Sequence, residues 1–209
     1  MPEFQVGGAV AVGEQPIKGL ISPAAGARMT VAETLTNLLA APITDIKDVK
    51  MSGNWMWAAK CEGEGARLVH ACDALCEALA LVGCAIDGGK DSLSMAAKVD
   101  DELVKAPGTL VLSAYAPCSD VTKVLSPDFK GPRDGDRCTM VVYARMGSSM
   151  SRNRLGGSAL AQVLRQVCCH INSDLRILPY LSVVLGKPLL GVVHEVIWCL
   201  KSMQKVFPA

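Results

Sequence analysis

Residues 64–95, EGARLVHACDALCEALALVGCAIDGGKDSLSM, decide the fold because a helical pattern passes directly into a strand within them. The apolar side chains up to Val82 recur at helical spacing, which predicts a helix with one buried face. Gly83 stands where a helix C-cap is expected. The next three residues, CAI, predict a short strand that leads into a polar, glycine-rich ending. The predicted buried face consists of Leu68, Cys72, Leu75, Leu79 and Val82.

The ending of that strand, DGGKDSLSM at residues 87–95, has two interpretations. Adjacent glycines with Asp and Ser are ordinary turn chemistry, so a tight turn closing the strand is favoured. Alternatively, Gly88 and Gly89 let the backbone approach phosphate oxygens, Lys90 adds a positive charge, and Ser92 adds a hydroxyl donor. The spacing of a P-loop is not met. From these residues alone both interpretations stay open.

A second helix is predicted at residues 24–41, ending before Pro42. Its apolar side chains recur three and four positions apart, and they are Val31, Leu35, Leu38 and Leu39. Its opposite face is polar and consists of Thr30, Glu33, Thr34 and Asn37. The base rate for exposed Glu and Asn favours a solvated helix surface.

Within that polar face, Glu33 and Asn37 are the candidate metal ligands. One helical turn separates them, so their side chains project from one face about 5–6 Å apart at Cβ. Carboxylate and amide oxygens are hard ligands, suited to Mg²⁺ that is held mainly through phosphates and water. The spacing alone cannot separate this hypothesis from a solvated surface.

The remaining segments predict a sheet packed by these two helices. A strand is predicted at FQVGGAVAV, residues 4–12, and Gly13 interrupts it. Further strands are predicted at residues 108–116 and 138–146, and a loop is predicted at residues 52–54. The order of elements indicates an α+β layered fold, with a mixed or antiparallel sheet covered on one face by the two long helices.

Composition excludes several classes of protein. Half of the 209 residues are hydrophobic and the net charge is +1, which favours a globular core and indicates neither nucleic-acid nor membrane binding. Nine cysteines without a CxxC pair favour a reducing compartment, and no signal peptide is recognised, so a cytoplasmic location is expected. The tryptophans Trp55 and Trp57 favour core packing. A zinc site at His70, Cys72 and Cys76 is disfavoured, because His70 and Cys72 face different sides of the helix.

Five stretches, taken together and in order, closely resemble the interior of phosphoribosylformylglycinamidine synthase in its large, single-chain form. They are GEQPIKGL, VAETLTNLLAAPITDIKDVKMSGNWMWAAKCEGEG, AIDGGKDSLSMAAKV, KAPGTLVLSAYAPCSDVTKVLSPD and RLGGSALAQV, and the resemblance covers about residues 5–166. The same stretches disfavour other enzymes of the superfamily, such as a thiamine-phosphate kinase or a selenophosphate synthetase. This family converts formylglycinamide ribonucleotide to its amidine in purine biosynthesis, using ATP, Mg²⁺ and ammonia released from glutamine.

The resemblance implies a domain organisation and a set of ligands. Residues 1–146 are similar to an aminoimidazole-ribonucleotide-synthetase-like N-domain, the second of two in the family, and residues 147–170 to the linker and first helix of the C-domain. The E-x-x-x-N pair implies that Glu33 and Asn37 bind Mg²⁺ on the phosphates of ATP or ADP. The GKDS motif implies that Gly89, Lys90, Asp91 and Ser92 line the nucleotide or phosphate side of a site. No catalytic residue is identified.

The sequence departs from the family pattern in three respects. The glutaminase domain, the first synthetase half and the HD-x-SDGGL signature are missing, and residues 171–209 diverge and are expected to fold poorly. We therefore expect a fragment that cannot complete the reaction by itself and that requires the remainder of the parent synthetase, an enzyme of the cytoplasm or of an organelle. The alternative is a non-catalytic structural module that holds a nucleotide or forms a pseudodimer with the missing half.

Overall fold

A computed structural model of the protein describes residues 5–126 and 157–165. The predicted strand at 138–146, most of the predicted linker and the tail at 171–209 lie outside these residues. The described elements are β1 (Gly7–Glu14), α1 (Pro16–Ile21), α2 (Pro23–Leu38), β2 (Lys50–Met56), α3 (Glu64–Val82), β3 (Ala85–Ser92), β4 (Ala96–Val99), β5 (Glu102–Lys105), β6 (Thr109–Cys118) and α4 (Ala159–Val163). Short 3-10 turns occupy Ile46–Asp48 and Val121–Lys123.

Four strands form one mixed sheet in the order β1-β6-β2-β3. β6 is antiparallel to both of its neighbours, whereas β2 and β3 are parallel and are joined by α3. β4 and β5 form a separate antiparallel hairpin. The predicted mixed sheet is therefore confirmed, and β1 and β3 are its two edges.

One face of the sheet is buried by α2 and α3. Alternate residues along β1 and β6 are buried, as the period of a strand requires, and they join one apolar core with side chains of both long helices. Val31 and Leu35 of α2 and Met51 of β2 have no exposed surface in this core. The predicted α+β fold, with two long helices on one face, is confirmed.

The opposite face of the sheet is open in the described part of the chain. Val10 is 74% exposed and Val12 is 49% exposed on β1, and Tyr115 lies beside Val10 in the register with β6. Because contiguous exposed apolar side chains are uncommon on proteins that act alone, this face is a candidate contact surface.

The approach of α2 to β1 explains why half of its predicted polar face is buried. A Cβ on Gly13 would lie 2.4 Å from Thr34 Oγ1 and 2.8 Å from the Thr30 carbonyl oxygen, so only glycine fits at this point of the strand. Thr30 and Thr34 are buried here, and each hydroxyl donates to the carbonyl four residues earlier, that of Gly26 and of Thr30 respectively. The prediction that these two threonines lie on the face opposite the buried one was wrong.

Several element boundaries also differ from the prediction. β1 continues through Gly13 to Glu14, α2 ends at Leu38 rather than at residue 41, and residues 52–54 belong to β2 instead of a loop. The helix α1 and the hairpin β4–β5 were not predicted. Cys72, predicted to be buried, is exposed on α3, and the small residues Ala71, Ala74 and Ala78 face the core instead.

The predicted end of α3 is confirmed. Gly83 adopts the left-handed conformation at φ +83°, and its N–H donates to the Leu79 carbonyl oxygen at 2.8 Å. No helix within residues 5–126 and 157–165 is long and apolar enough to cross a membrane.

The contact of α2 with β1 predicts opposite outcomes for two glycines of the same strand. Gly13→Ala should lower the free energy of unfolding by about 1–3 kcal/mol, because the added methyl group forces α2 away from the sheet. Gly8→Ala is the matched control, since a Cβ there meets no atom within 4 Å. Urea unfolding of both variants measures the difference. Equal destabilisation would contradict the close approach.

Candidate functional site

The segment Asp87–Ser92, predicted to be a turn or a strand-end loop, is an edge strand. It forms most of β3 and pairs in parallel with β2, so that Gly53 lies opposite Gly89 and Asn54 lies opposite Lys90. A bulge in the register separates this part of β3 from its first residues. The prediction of a turn was wrong because pairing with β2 imposes an extended conformation on a segment whose composition favours turns.

Close packing of the two strands explains one glycine of the pair. A Cβ on Gly89 would lie 2.0 Å from the Gly53 carbonyl oxygen, whereas a Cβ on Gly88 would meet no atom within 4 Å. Gly89 is therefore required by the backbone of β2 itself. Its presence does not need a phosphate to explain it.

Lys90 and Ser92 lie on the same face of β3, because residues two apart share a face of a strand. Lys90 Nζ donates to Ser92 Oγ at 2.6 Å, and Lys90 is exposed. Asp91 occupies the other face, opposite Trp55 in the register. The predicted phosphate residues thus divide into an ammonium–hydroxyl pair on the open face and a carboxylate on the helical face.

Glu33 and Asn37 lie on α2 beside the outer edge of β1. Glu33 Oε2 accepts hydrogen bonds from the Glu14 backbone N–H and from Gln15 Nε2, both at 2.8 Å. Asn37 Nδ2 donates to the Val12 carbonyl oxygen at 2.9 Å. Both side chains therefore satisfy backbone groups that β1 directs away from β6.

These hydrogen bonds leave one oxygen on each side chain for a ligand. Within residues 5–126 and 157–165, nothing donates to Glu33 Oε1 or to Asn37 Oδ1. The two groups are hard oxygen donors on adjacent turns, and this donor set fits Mg²⁺. In the same part of the chain no three His, Cys, Asp or Glu side chains converge on a metal position, so such an ion needs further oxygens from phosphate, water or other segments.

The two predicted sets of site residues are not brought together. β1 and β3 are opposite edges of the sheet, and three strand spacings place them roughly 14 Å apart. Glu33, which bonds to the end of β1, and Ser92, which ends β3, are nevertheless at the same end of the sheet. One phosphate group cannot contact both sets.

Other polar residues at this end were missed by the sequence reasoning. Gln15 donates to Glu33 and Lys18 donates to Gln15, and the signal for both in the sequence was their place in the GEQPIKGL stretch. Glu64 at the start of α3 accepts from Trp57 Nε1 at 3.1 Å and pairs with Lys105 Nζ at 3.3 Å. Trp57 is 2% exposed, which confirms the predicted core packing.

A polar contact also crosses the open face of the sheet. The Tyr115 hydroxyl of β6 reaches over β2 and donates to Asp87 Oδ1 of β3. This hydrogen bond to the carboxylate raises the pKa of Tyr115 above its usual value, because ionisation of the phenol would remove the shared proton. Tyr115 therefore remains a neutral donor on this surface.

The chain is similar to a known family and to proteins of purine biosynthesis. Residues 3–117 match the model of the FGAR-AT PurM_N-like domain. A probable phosphoribosylformylglycinamidine synthase of Caenorhabditis elegans is 64% identical over 162 residues, which are 78% of this chain and 12% of that protein. The Homo sapiens phosphoribosylformylglycinamidine synthase is 53% identical over 168 residues, 80% of this chain and 12% of that protein.

This chain thus spans about 12% of the length of those relatives. Among solved structures, phosphoribosylformylglycinamidine synthase II from Thermotoga maritima aligns at 17% identity with a TM-score of 0.47, covering 61% of this chain and 20% of that one.

The geometry of β3 predicts that two adjacent glycines differ in their tolerance of a methyl group. Gly89→Ala should cost about 1–3 kcal/mol of unfolding free energy, because its Cβ cannot coexist with the β2 carbonyl. Gly88→Ala is the matched control and should stay within about 0.5 kcal/mol of the unsubstituted protein. Urea unfolding, with hydrogen exchange at the β3 amides, measures both. A similar effect at the two positions would indicate the loop that the sequence suggested.

Proposed function

Because the chain belongs to the family of FGAR-AT PurM_N-like domains, we propose that it is the magnesium–nucleotide-binding part of a phosphoribosylformylglycinamidine synthase. The parent enzyme is then an ATP-dependent C–N ligase of purine biosynthesis. It forms the amidine of formylglycinamide ribonucleotide with ammonia from glutamine. In this proposal residues 1–146 are the N-domain, 147–170 lead into the C-domain, and 171–209 are a divergent tail.

The observation that carries this proposal is the arrangement of Glu33 and Asn37. Hydrogen bonds to β1 hold both side chains in place, so their remaining oxygens need little rearrangement to accept a cation. Mg²⁺, when bound there, would neutralise charge on the nucleotide phosphates. The chain's own contribution is a fixed pair of oxygen ligands on a rigid helix.

Lys90 and Ser92 are proposed to bind a second anionic group at the other edge of the sheet. Their ammonium and hydroxyl lie together on the open face, where a phosphate oxygen could accept from both. The separation of roughly 14 Å from β1 supports two partial sites over one continuous site. In this proposal Gly89 allows β3 to pack closely against β2, and Asp91 lies on the other face of the same strand.

The remainder of the parent synthetase is the proposed partner of this chain. The exposed valines of β1 and Tyr115 form an apolar area on the open face. The family resemblance implies that this face pairs with a second N-domain, as it does in relatives of the superfamily. We propose that the first synthetase half covers this face, and that the C-domain and the glutaminase domain supply the remaining groups of the reaction. A cytoplasmic location is proposed for the parent, although one relative of this chain is described as chloroplastic/mitochondrial.

The second candidate function is a structural module whose nucleotide does not react. Under this alternative Glu33 and Asn37 still bind Mg²⁺ on the nucleotide. The nucleotide then stabilises the fold, because it binds only the folded state.

Nucleotide binding with and without Mg²⁺ tests the ligand assignment. Glu33→Gln and Asn37→Ala should each weaken Mg²⁺–ADP binding about tenfold or more, because each removes one of two protein ligands. Isothermal titration calorimetry on the full chain measures the affinities. Glu77→Gln is the matched control, since Glu77 is an exposed glutamate on α3.

The outcomes separate the candidate functions. Unchanged affinity in Glu33→Gln and Asn37→Ala would contradict the metal ligands. Absence of ADP binding by the unsubstituted chain would favour a module that only forms the scaffold. Lys90→Met should leave the Mg²⁺ dependence of ADP binding unchanged, because Lys90 belongs to the other partial site.

A further inference from the structure

A chain of three polar side chains leads from α1 to the candidate metal ligand. Lys18 Nζ donates to Gln15 Oε1, and Gln15 Nε2 donates to Glu33 Oε2 at 2.8 Å. Gln15 directly follows β1, Lys18 lies in α1, and Glu33 lies in the middle of α2. Three consecutive elements are therefore linked, through Gln15, to one carboxylate.

The donor and acceptor chemistry of this chain has only one consistent arrangement. A lysine ammonium can donate but not accept, so it turns the oxygen of Gln15 toward Lys18. The NH₂ group of Gln15 must then face Glu33. Because the Glu14 backbone N–H also donates to Glu33 Oε2, that oxygen receives two donors and Oε1 is the one left for a cation.

Lys18 is itself held by the second described segment. A Cβ on Gly157 would lie 2.7 Å from Lys18 Cγ and 3.3 Å from Lys18 Cα, so the backbone at Gly157 packs directly on this side chain. Gly157 has φ +67°, a conformation that favours glycine. Gly157 therefore packs on the aliphatic stem of Lys18, and Gln15 accepts from its ammonium.

We propose that Gln15 is a positioning residue for the Mg²⁺ ligand Glu33, and that Lys18 sets the orientation of its amide. This inference rests on the proposed metal-binding role of Glu33 and Asn37. Gln15 holds one carboxylate oxygen against the end of β1 and directs the other toward the cation. Without Gln15, or with its amide free to flip, the Glu14 backbone N–H is the remaining described donor to Oε2, so the carboxylate is held less firmly.

The test compares ADP binding with and without metal, using Mn²⁺ as the spectroscopic probe. The full chain is titrated with Mn²⁺–ADP by electron paramagnetic resonance and with metal-free ADP by calorimetry. The ratio of the two affinities reports on the metal ligands. General loss of structure lowers both affinities and leaves their ratio unchanged.

Gln15→Met and Lys18→Met should each lower this ratio about fivefold or more, because the amide donor is lost or free to flip. Lys18→Arg should restore the ratio to within about twofold of the unsubstituted chain, since Arg is also a donor only. Lys98→Met is the matched control, because Lys98 is an exposed lysine on the separate hairpin. If Gln15→Met does not fold, the comparison of Lys18→Met with Lys18→Arg still tests the positioning role.

Two failures are distinguishable. If Glu33→Gln leaves the ratio unchanged, or if Mn²⁺ does not improve ADP binding at all, the proposed metal site is wrong. If Glu33→Gln lowers the ratio while Gln15→Met and Lys18→Met do not, the metal site stands and the positioning role is overturned. Equal loss in Lys18→Arg and Lys18→Met would also overturn it, because packing rather than donation would then explain the effect.

Discussion

The contact between α2 and β1 at Gly13 is the constraint on which the rest of the structure depends. The backbone nitrogen and the hydroxyl of Thr34 lie within 2.5 Å of where a Cβ on residue 13 would have to be. This proximity buries Thr30 and Thr34 and draws the next polar residues of the helix, Glu33 and Asn37, over the outer edge of β1. The candidate metal ligands are therefore placed by a packing contact of the core.

The two edges of the sheet differ in the groups that cover them, and the two sets of candidate site residues lie at these two edges. At β1, the side chains of Glu33 and Asn37 occupy backbone groups that an edge strand would otherwise leave unpaired, which also protects the edge from pairing with another chain. At β3, the edge carries the exposed ammonium of Lys90 instead. An edge whose backbone groups are hydrogen-bonded to side chains and an edge that carries a charge both discourage pairing with another chain.

The open face of the sheet is the surface proposed to contact the remainder of a longer protein. Alternation along β1 gives Val10 and Val12 to that face, and exposed valines of this kind are stable in water only at a cost. The same face carries the contact of Tyr115 with Asp87, which fixes one polar group among the apolar ones. A partner that covers this face would bury the valines and leave this hydrogen bond intact. The face therefore combines apolar area with a polar group, as protein interfaces do.

The sequence by itself determined the two long helices, the helical cap at Gly83 and the mixed α+β fold, because these depend on local periodicity and backbone preference. It also pointed to Glu33 and Asn37 as neighbours on one helical turn, and the family resemblance supplied their proposed role. Tertiary structure alone decided that the GGKDS segment is a strand, since pairing with β2 overrides turn-forming composition. It alone decided which threonines are buried and that Gln15, itself held by Lys18, contacts Glu33. Contacts between residues far apart in the chain leave no periodic pattern in the sequence.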